Sequence, residues 1–204
     1  MRKEIQLIFA SNNAHKLDEV RRILAPLQVL SLREIGFEGD IEETGTTLEQ
    51  NSRIKAQAVV DWLQDKQLAA SKDCCVFADD TGLEIEALGG QPGVYTARWA
   101  GEPACDANNR RKALAELAGQ NNRNARFRTV VTVIGAGLNT QVEGIVRGMM
   151  ATEEKGDGGF GYDSLFMPEG YDKTFAELPA QIKNTISHRA RAMEKLKELL
   201  HSIA

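Results

Sequence analysis

The 204-residue sequence predicts a protein of the α/β or α+β class built on a mixed sheet. Apolar runs of strand length and segments of helical spacing are mixed along the whole chain. The first run is short and apolar but for Gln6, as in a buried strand. Two later segments, 127–134 and 142–150, alternate apolar and polar residues, as strands paired antiparallel do.

In chain order, residues 5–10 read as a buried strand that ends at the polar loop Ser11-Asn12-Asn13. Leu17, Val20, Ile23 and Leu24 recur at helical spacing, and Pro26 ends that helix because it lacks the N–H of a further turn. Residues 29–32 give a second strand. Residues 36–46 are rich in glycine and acids without periodicity, which marks a loop. A helix follows, opened by Thr47 with Gln50 or by Thr46 with Glu49, both at capping-box spacing. Leu48, Ile54, Ala58 and Leu63 lie near one of its faces. Residues 74–78 read as a fully buried strand delivering Asp79-Asp80-Thr81-Gly82 at its end, with a sharp turn allowed by Gly82. Residues 83–88 alternate and run into Gly89-Gly90 and Pro92-Gly93, a strand and a turn. Residues 106–117 form a helix stopped by Gly119. The strands at 127–134 and 142–150 pair across a turn at 136–140, and the glycine-rich segment 156–161 leads into a short strand at 162–166. The last helix starts near Ser187 and runs through Ala190, Met193, Leu196 and Leu200. No repeat, low-complexity tract or flexible linker interrupts residues 1–204, a length that suits one large domain or two tightly joined lobes.

Bulk properties narrow the function. A net charge of -4 argues against a sequence-independent nucleic-acid binder, while a local basic pocket for a phosphate-bearing small molecule stays open. No apolar run approaches the ~20 residues of a membrane span. The N-terminal residues read as a first strand and not as a signal peptide. Cys74, Cys75 and Cys105 are odd in number and two are adjacent, which points to reduced thiols and a cytoplasmic protein. No Cys/His cluster has zinc spacing.

Four polar constellations carry candidate chemistry. Ser11 to Lys16 (SNNAHK) joins a strand to a helix, and free N–H groups at a helix start attract anions. Ser11, Asn13 and Lys16 add a hydroxyl, an amide and a point charge; the plainer alternative is a capped helix with a solvated lysine. The carboxylates of IEETG (41–45) suit a hard cation, or form a solvated acidic turn. In ADDTG (78–82) adjacent side chains on an extended chain point to opposite faces, so Asp79 and Asp80 have separate surroundings, and one of them holds the loop. GGFGYD (158–163) presents Phe160 on a glycine loop, where it can stack on a base or make a simple apolar contact. Ser187 is a natural N-cap, which puts His188 and Arg189 in the first turn of a helix, where the dipole disfavours cations and another demand on them is implied. The P-loop, the nucleophile elbow, the zincin motif and the Rossmann fingerprint are all missing from the sequence.

SNNAHK, EETG, ADDTG, LGGQPGVYTARWAG, GGFGYD and ISHR occur in this order over most of the chain. In this the sequence resembles the inosine triphosphate pyrophosphatase family, the dITP/XTP pyrophosphatases. Thr81 stands where bacterial relatives commonly carry serine, and Leu48-Glu49-Gln50-Asn51 replaces the usual Phe-x-Glu-Asn. The resemblance implies an elongated mixed sheet with two α/β lobes, a central nucleotide-binding cleft and a homodimer. It also implies residue roles. Ser11, Asn12, Asn13, Ala14, His15 and Lys16 would wrap the triphosphate, with Lys55 near its oxygens. Glu42 and Asp80 would hold Mg2+, and Asp80 would also be the general base. Thr81 would touch substrate. Phe160, Gly161, Tyr162, Asp163, Lys183, His188 and Arg189 would form the base pocket.

The implied reaction is hydrolysis of ITP, dITP or XTP to the monophosphate and pyrophosphate, which cleanses the nucleotide pool. Its chemistry is positioning and charge neutralisation around an attacking water. Hypoxanthine and xanthine carry a 6-oxo acceptor where adenine carries an amino donor, so a donor such as Arg189 separates them; rejection of guanine needs surroundings of C2 that the sequence does not reveal. Two alternatives compete: a related pyrophosphatase preferring dUTP, dTTP or modified pyrimidines, and a nucleotide sensor or RNA-binding module. The Glu42 and Asp80 carboxylates and the net negative charge oppose the second.

Overall fold

The computed structural model describes residues 5–67 and 74–203. Among these are seven strands in one mixed sheet and five α-helices. They are β1 (Gln6–Phe9), α1 (Ala14–Leu24), β2 (Val29–Ser31), α2 (Leu48–Asp65), β3 (Cys74–Ile85), β4 (Pro92–Gly93), α3 (Asp106–Glu116), β5 (Asn124–Gly135), β6 (Leu138–Met150), β7 (Phe166–Pro168), α4 (Ala180–Ile186) and α5 (His188–Ile203). The sheet order is β2-β1-β3-β5-β6-β7, with β4 on β3. The expected α/β class with a mixed sheet is the architecture found. Among the described residues no helix is long and apolar enough to cross a membrane.

The chain divides into two compact units. The first holds Met1–Asp80, Thr129–Gly144 and Arg189–Ala204; the second holds Thr81–Arg128 and Ile145–His188.

In the first unit β1 runs parallel to both β2 and β3, with Leu7 opposite Val29 and Cys75. The period of two along these strands sorts their side chains into two cores. Leu7, Phe9, Cys75 and Phe77 pack with Val20 and Leu24 of α1 and with Met193 and Leu196 of α5. Ile8, Ala10, Val76 and Ala78 pack with Ala56, Val59 and Leu63 of α2. Helices α1 and α5 thus cover one face of the sheet and α2 the other. Burying a residue such as Phe77 or Val59 in these cores contributes about 1.5–3 kcal/mol each.

In the second unit the core is Leu83, Ile85, Ala113, Leu117, Ala125, Phe127, Val146, Met150, Tyr162, Leu165, Phe166 and Phe175. β4 and β7 pair antiparallel to β3 and β6.

Several elements differ from the expectations. The strand ending at Ala78 and the one starting at Leu83 are a single strand, β3, so the two aspartates sit in mid-strand and Gly82 makes no turn. The turn needed Asp79 and Asp80 to bond their own backbone; instead cations from the helices take both carboxylates. The link between β5 and β6 is only Ala136-Gly137, both at positive φ, as a two-residue hairpin requires. Residues 162–165 are turns and not strand: the N–H groups of Leu165 and Phe166 both reach the Tyr162 carbonyl. Helix α4 was unexpected, being too short to show a period. On α2 the buried face is Leu48, Asn51, Ser52, Lys55, Ala56, Val59 and Leu63, so Ile54 and Ala58 lie off it. Three of those buried residues are polar, and this hid the face from an apolar count.

Candidate active site

The alternation that builds the first unit's cores also sets its charges. Asp79 follows Phe77 onto the face of α1 and α5, and Asp80 follows Ala78 onto the face of α2.

Asp79 is fully buried. Its Oδ1 accepts from Lys16 Nζ at 3.0 Å, and its Oδ2 accepts from Arg189 Nε at 3.0 Å, with Nη2 at 2.9 Å. Arg189, itself buried, gives Nη1 to Glu19 at 2.5 Å. The chain Lys16–Asp79–Arg189–Glu19 therefore ties α1 and α5 to β3. Burial raises a carboxyl pKa, but the Lys16 and Arg189 charges outweigh it and hold Asp79 far below the usual range. The same burial lowers the Lys16 pKa, beyond what Asp79 restores.

Asp80 is only 7% exposed and has Lys55 Nζ at 3.6 Å. The Lys55 ammonium donates to Glu43 at 2.5 Å. Burial raises the Asp80 pKa, and Lys55 and Lys16 do not cancel that rise. For Lys55 the balance reverses: burial lowers its pKa, but Asp80 and Glu43 outweigh this and raise it. Asp80 is thus a buried carboxyl whose charge its neighbouring cations only partly compensate.

The loop preceding α1 is ordered by its own polar groups. Asn13 caps α1 by accepting from the Lys16 N–H at 3.0 Å. Asn12 donates to the Gly39 carbonyl at 3.1 Å and to Asp40 at 2.8 Å, and Ser11 Oγ accepts from the Asn13 N–H. Ala14 and His15 are exposed in the first turn. α2 is capped by Thr47, which accepts from the Gln50 N–H, and Gln50 Oε1 accepts from the Thr46 N–H. Of the two capping boxes the Thr47 one forms, with Gln50 reaching one residue further back.

In the second unit, the loop with Phe160 is fastened from several sides. Asp163 Oδ2 accepts from the Phe160 N–H at 2.8 Å and from Lys183 Nζ at 2.6 Å. Gly159 has φ 75°, and a Cβ there would sit 2.1 Å from Asp163 Oδ2, so only glycine fits. Asp106 accepts from the Gly161 N–H, Arg110 donates to the Gly161 carbonyl, and Tyr162 Oη donates to Thr96. Lys183 lies 4.9 Å from the centre of the half-buried Phe160 ring and 5.8 Å from that of Phe175. His188 is buried against Phe127, with ring centres 4.6 Å apart.

The structure therefore gathers Lys16 at Asp79, Lys55 at Asp80, and Phe160, Asp163 and Lys183 in a third group. Thr81 follows Asp80 on β3, half-buried. Two of the expected residues have distinctive surroundings. Glu42 is exposed, and its neighbour Glu43 is the residue that reaches Lys55. Arg189 was expected to offer its donors to a purine oxygen; its Nε, Nη1 and Nη2 are on Asp79 and Glu19. A first-turn cation disfavoured by the dipole has its partners among protein carboxylates. Residues missed were Glu19, Glu43, Asp79 as an ion-pair partner, Asp106 and Arg110. Glu19 was findable, because it shares a helix face with Lys16 at i,i+3; nothing in the sequence pairs Asp106 with a glycine 55 residues away.

A bound Mg2+ has a suitable donor set in the first unit. Among the described residues no three His, Cys, Asp or Glu side chains converge as a metal site. Magnesium does not need three: one or two carboxylates serve when phosphate oxygens and waters complete the shell. Asp80 and the 41–45 loop offer oxygen ligands only, which matches a hard cation.

Comparison with known proteins agrees along the length of the chain. The profile of the Ham1 family matches residues 7–199. A protein of Flavobacterium johnsoniae named dITP/XTP pyrophosphatase is 45% identical over 197 residues, covering 96% of this chain and 98% of its own. One of the same name from Bacillus subtilis is 46% identical over 202 residues, covering 97% and 98%. Among solved structures, the Ham1 protein of Staphylococcus aureus superposes with a TM-score of 0.83 at 36% identity, over 98% of this chain and all of that one. With this coverage, and with the acidic strand, the capped lysine loop and the Phe160 loop in place, the chain belongs to the Ham1 family.

Proposed function

We propose that this protein is a magnesium-dependent nucleoside triphosphate pyrophosphatase acting on ITP, dITP and XTP. The observation that carries the reading is Asp80: a buried carboxyl 3.6 Å from Lys55, which the acidic loop's Glu43 also holds, at the position matching the family's base. The names of the relatives in Flavobacterium johnsoniae and Bacillus subtilis support the substrate class.

Lys16 and Lys55 meet the anionic triphosphate. Lys16 is aimed by Asp79 and carried on the capped first turn of α1, whose free N–H groups favour phosphate. Lys55 is steadied by Glu43, so its charge stands ready without a search over rotamers. Asp80 orients a water towards the α-phosphorus and takes its proton, and pyrophosphate leaves. Asp80 and Glu42 would hold Mg2+, which neutralises charge on the phosphate oxygens and helps position the nucleophile when bound; Glu43 is already engaged by Lys55. Thr81 adds a hydroxyl. Phe160 stacks on the base, Lys183 and Asp163 fix that ring, and Gly161, Tyr162 and His188 complete the recognition surface. Arg189 enters this reading as the anchor of Asp79. We extend the family resemblance to a homodimer, which sedimentation equilibrium at micromolar protein would detect against a 22.4 kDa monomer.

The direct test is pyrophosphate release from ITP, GTP, ATP and dUTP, with and without magnesium. Magnesium-dependent release, with ITP far ahead, is expected. A dUTP preference favours the pyrimidine enzyme instead, and binding without release favours a sensor.

A further inference from the structure

The acidic loop is fastened to α2 twice on the same face. Glu43 reaches Lys55, and Asn51 Oδ1 accepts from the Gly45 N–H at 2.8 Å. Asn51 and Lys55 are one helical turn apart, both on the buried face of α2, so their side chains stack along it. The fit at Gly45 is close: a Cβ there would lie 2.6 Å from Asn51 Oδ1.

Asn51 is fully buried, yet its Nδ2 has no acceptor among the described residues. Turning the amide over would not help, since the Gly45 N–H needs the oxygen where it is. A buried amide donor without an acceptor is costly, and native structures hold few of them. A ligand oxygen would remove that cost. The neighbours of the amide suit an anionic ligand. Lys55 follows one turn on along the same buried face, and the acidic loop is bonded to the same side chain through the Gly45 N–H. The chain's own carboxylates do not supply the acceptor: Glu43 is on Lys55.

We propose that Asn51 Nδ2 is a substrate-directed donor that hydrogen-bonds a phosphate oxygen of the triphosphate beside Lys55, while its Oδ1 positions the acidic loop. The proposal rests on the pyrophosphatase reading and adds a recognition residue to it. One side chain then couples the loop bearing the metal-binding acid to the phosphate it serves. Ordering the loop and gripping the phosphate become a single event.

Asn51→Asp separates the two halves of the amide. It keeps an oxygen for the Gly45 N–H and removes the donor. Asn51→Ala removes the donor without adding a charge. Binding of inorganic triphosphate in magnesium buffer, followed by calorimetry, is expected to weaken about tenfold or more in both variants. Wild-type affinity in either variant overturns the proposal; because Asp adds a charge and Ala frees the Gly45 N–H, the amide itself is also followed directly. Should either variant fold poorly, wild-type protein labelled with 15N at asparagine supplies the answer. The protected side-chain amide pair should move downfield on adding inorganic triphosphate, and an unmoved pair overturns the proposal. Failure of the parent reading has a different mark, because wild-type enzyme would then release no pyrophosphate from ITP.

Discussion

On the side of the sheet covered by α1 and α5, Asp79 is saturated: Lys16 takes one oxygen, Arg189 the other, and Glu19 closes the chain behind Arg189. On the side covered by α2, Asp80 shares Lys55 with Glu43, and that lysine stands 3.6 Å away. The two residues are adjacent, of one type and both buried. Their pKa values nonetheless move in opposite directions, because two close cations outweigh burial at Asp79 and burial outweighs a looser pair at Asp80. Burial alone therefore does not decide which way a carboxyl shifts. The number and closeness of its cations does, and strand alternation assigns those cations to one face or the other.

The strongest way to break this contrast is substitution of the two aspartates. Asp80→Asn should cut ITP turnover by about 10²–10⁴-fold while substrate still binds and the melting temperature barely moves. Activity within about tenfold of wild type would remove Asp80 as the base. Asp79→Asn should do the reverse kind of damage, since it leaves Arg189 and Lys16 buried beside a neutral amide. A loss of about 3–5 kcal/mol in urea unfolding is expected. The sign with pH follows from a depressed carboxyl. Its contribution is complete above the unfolded pKa of ~4 and disappears as pH falls through the lower folded value. Wild type should therefore lose stability on acidification below about pH 4 more steeply than Asp79→Asn; parallel curves would show that Asp79 is not held ionised.

Arg189→Ala sharpens the same point on a smaller scale, because the alanine also removes the buried charge. Stability should fall by about 3 kcal/mol, and kcat/KM for ITP and ATP should decline together at a temperature where the variant is folded. A fall confined to ITP would instead place Arg189 in the base pocket. The smallest effect concerns the acidic loop. Glu42→Gln should raise the magnesium needed for half-maximal rate, whereas Glu43→Gln should chiefly raise KM by releasing Lys55. The opposite pattern would exchange their roles.

Much of this arrangement was legible in the residues. The loop-helix junction at Ser11 to Lys16, the Thr47 cap and the glycine setting of Phe160 all follow from local chemistry, and the structure forms each one. Alternation correctly sent Asp79 and Asp80 to opposite faces. It could not say which cations would meet them, because Lys16, Lys55 and Arg189 are brought to β3 by helix packing over separations of up to 110 residues. The same limit explains the misplaced turn at Gly82. A pair of aspartates before a glycine has turn chemistry when it is solvated, but strand geometry once both carboxylates are taken by ammonium and guanidinium groups. The buried polar face of α2 was hidden likewise, since Asn51, Ser52 and Lys55 are ordinary surface residues until a loop and a neighbouring strand supply their partners.

The reaction itself is tested most directly by hydrolysis of ITP in water enriched in 18O, with mass analysis of both products. Attack of an Asp80-oriented water on the α-phosphorus places one 18O in the monophosphate and none in the released pyrophosphate. Label in pyrophosphate would mean attack on the β-phosphorus and would contradict the Asp80-oriented attack at the α-phosphorus, and labelled orthophosphate would mean that the reaction is not a pyrophosphatase one.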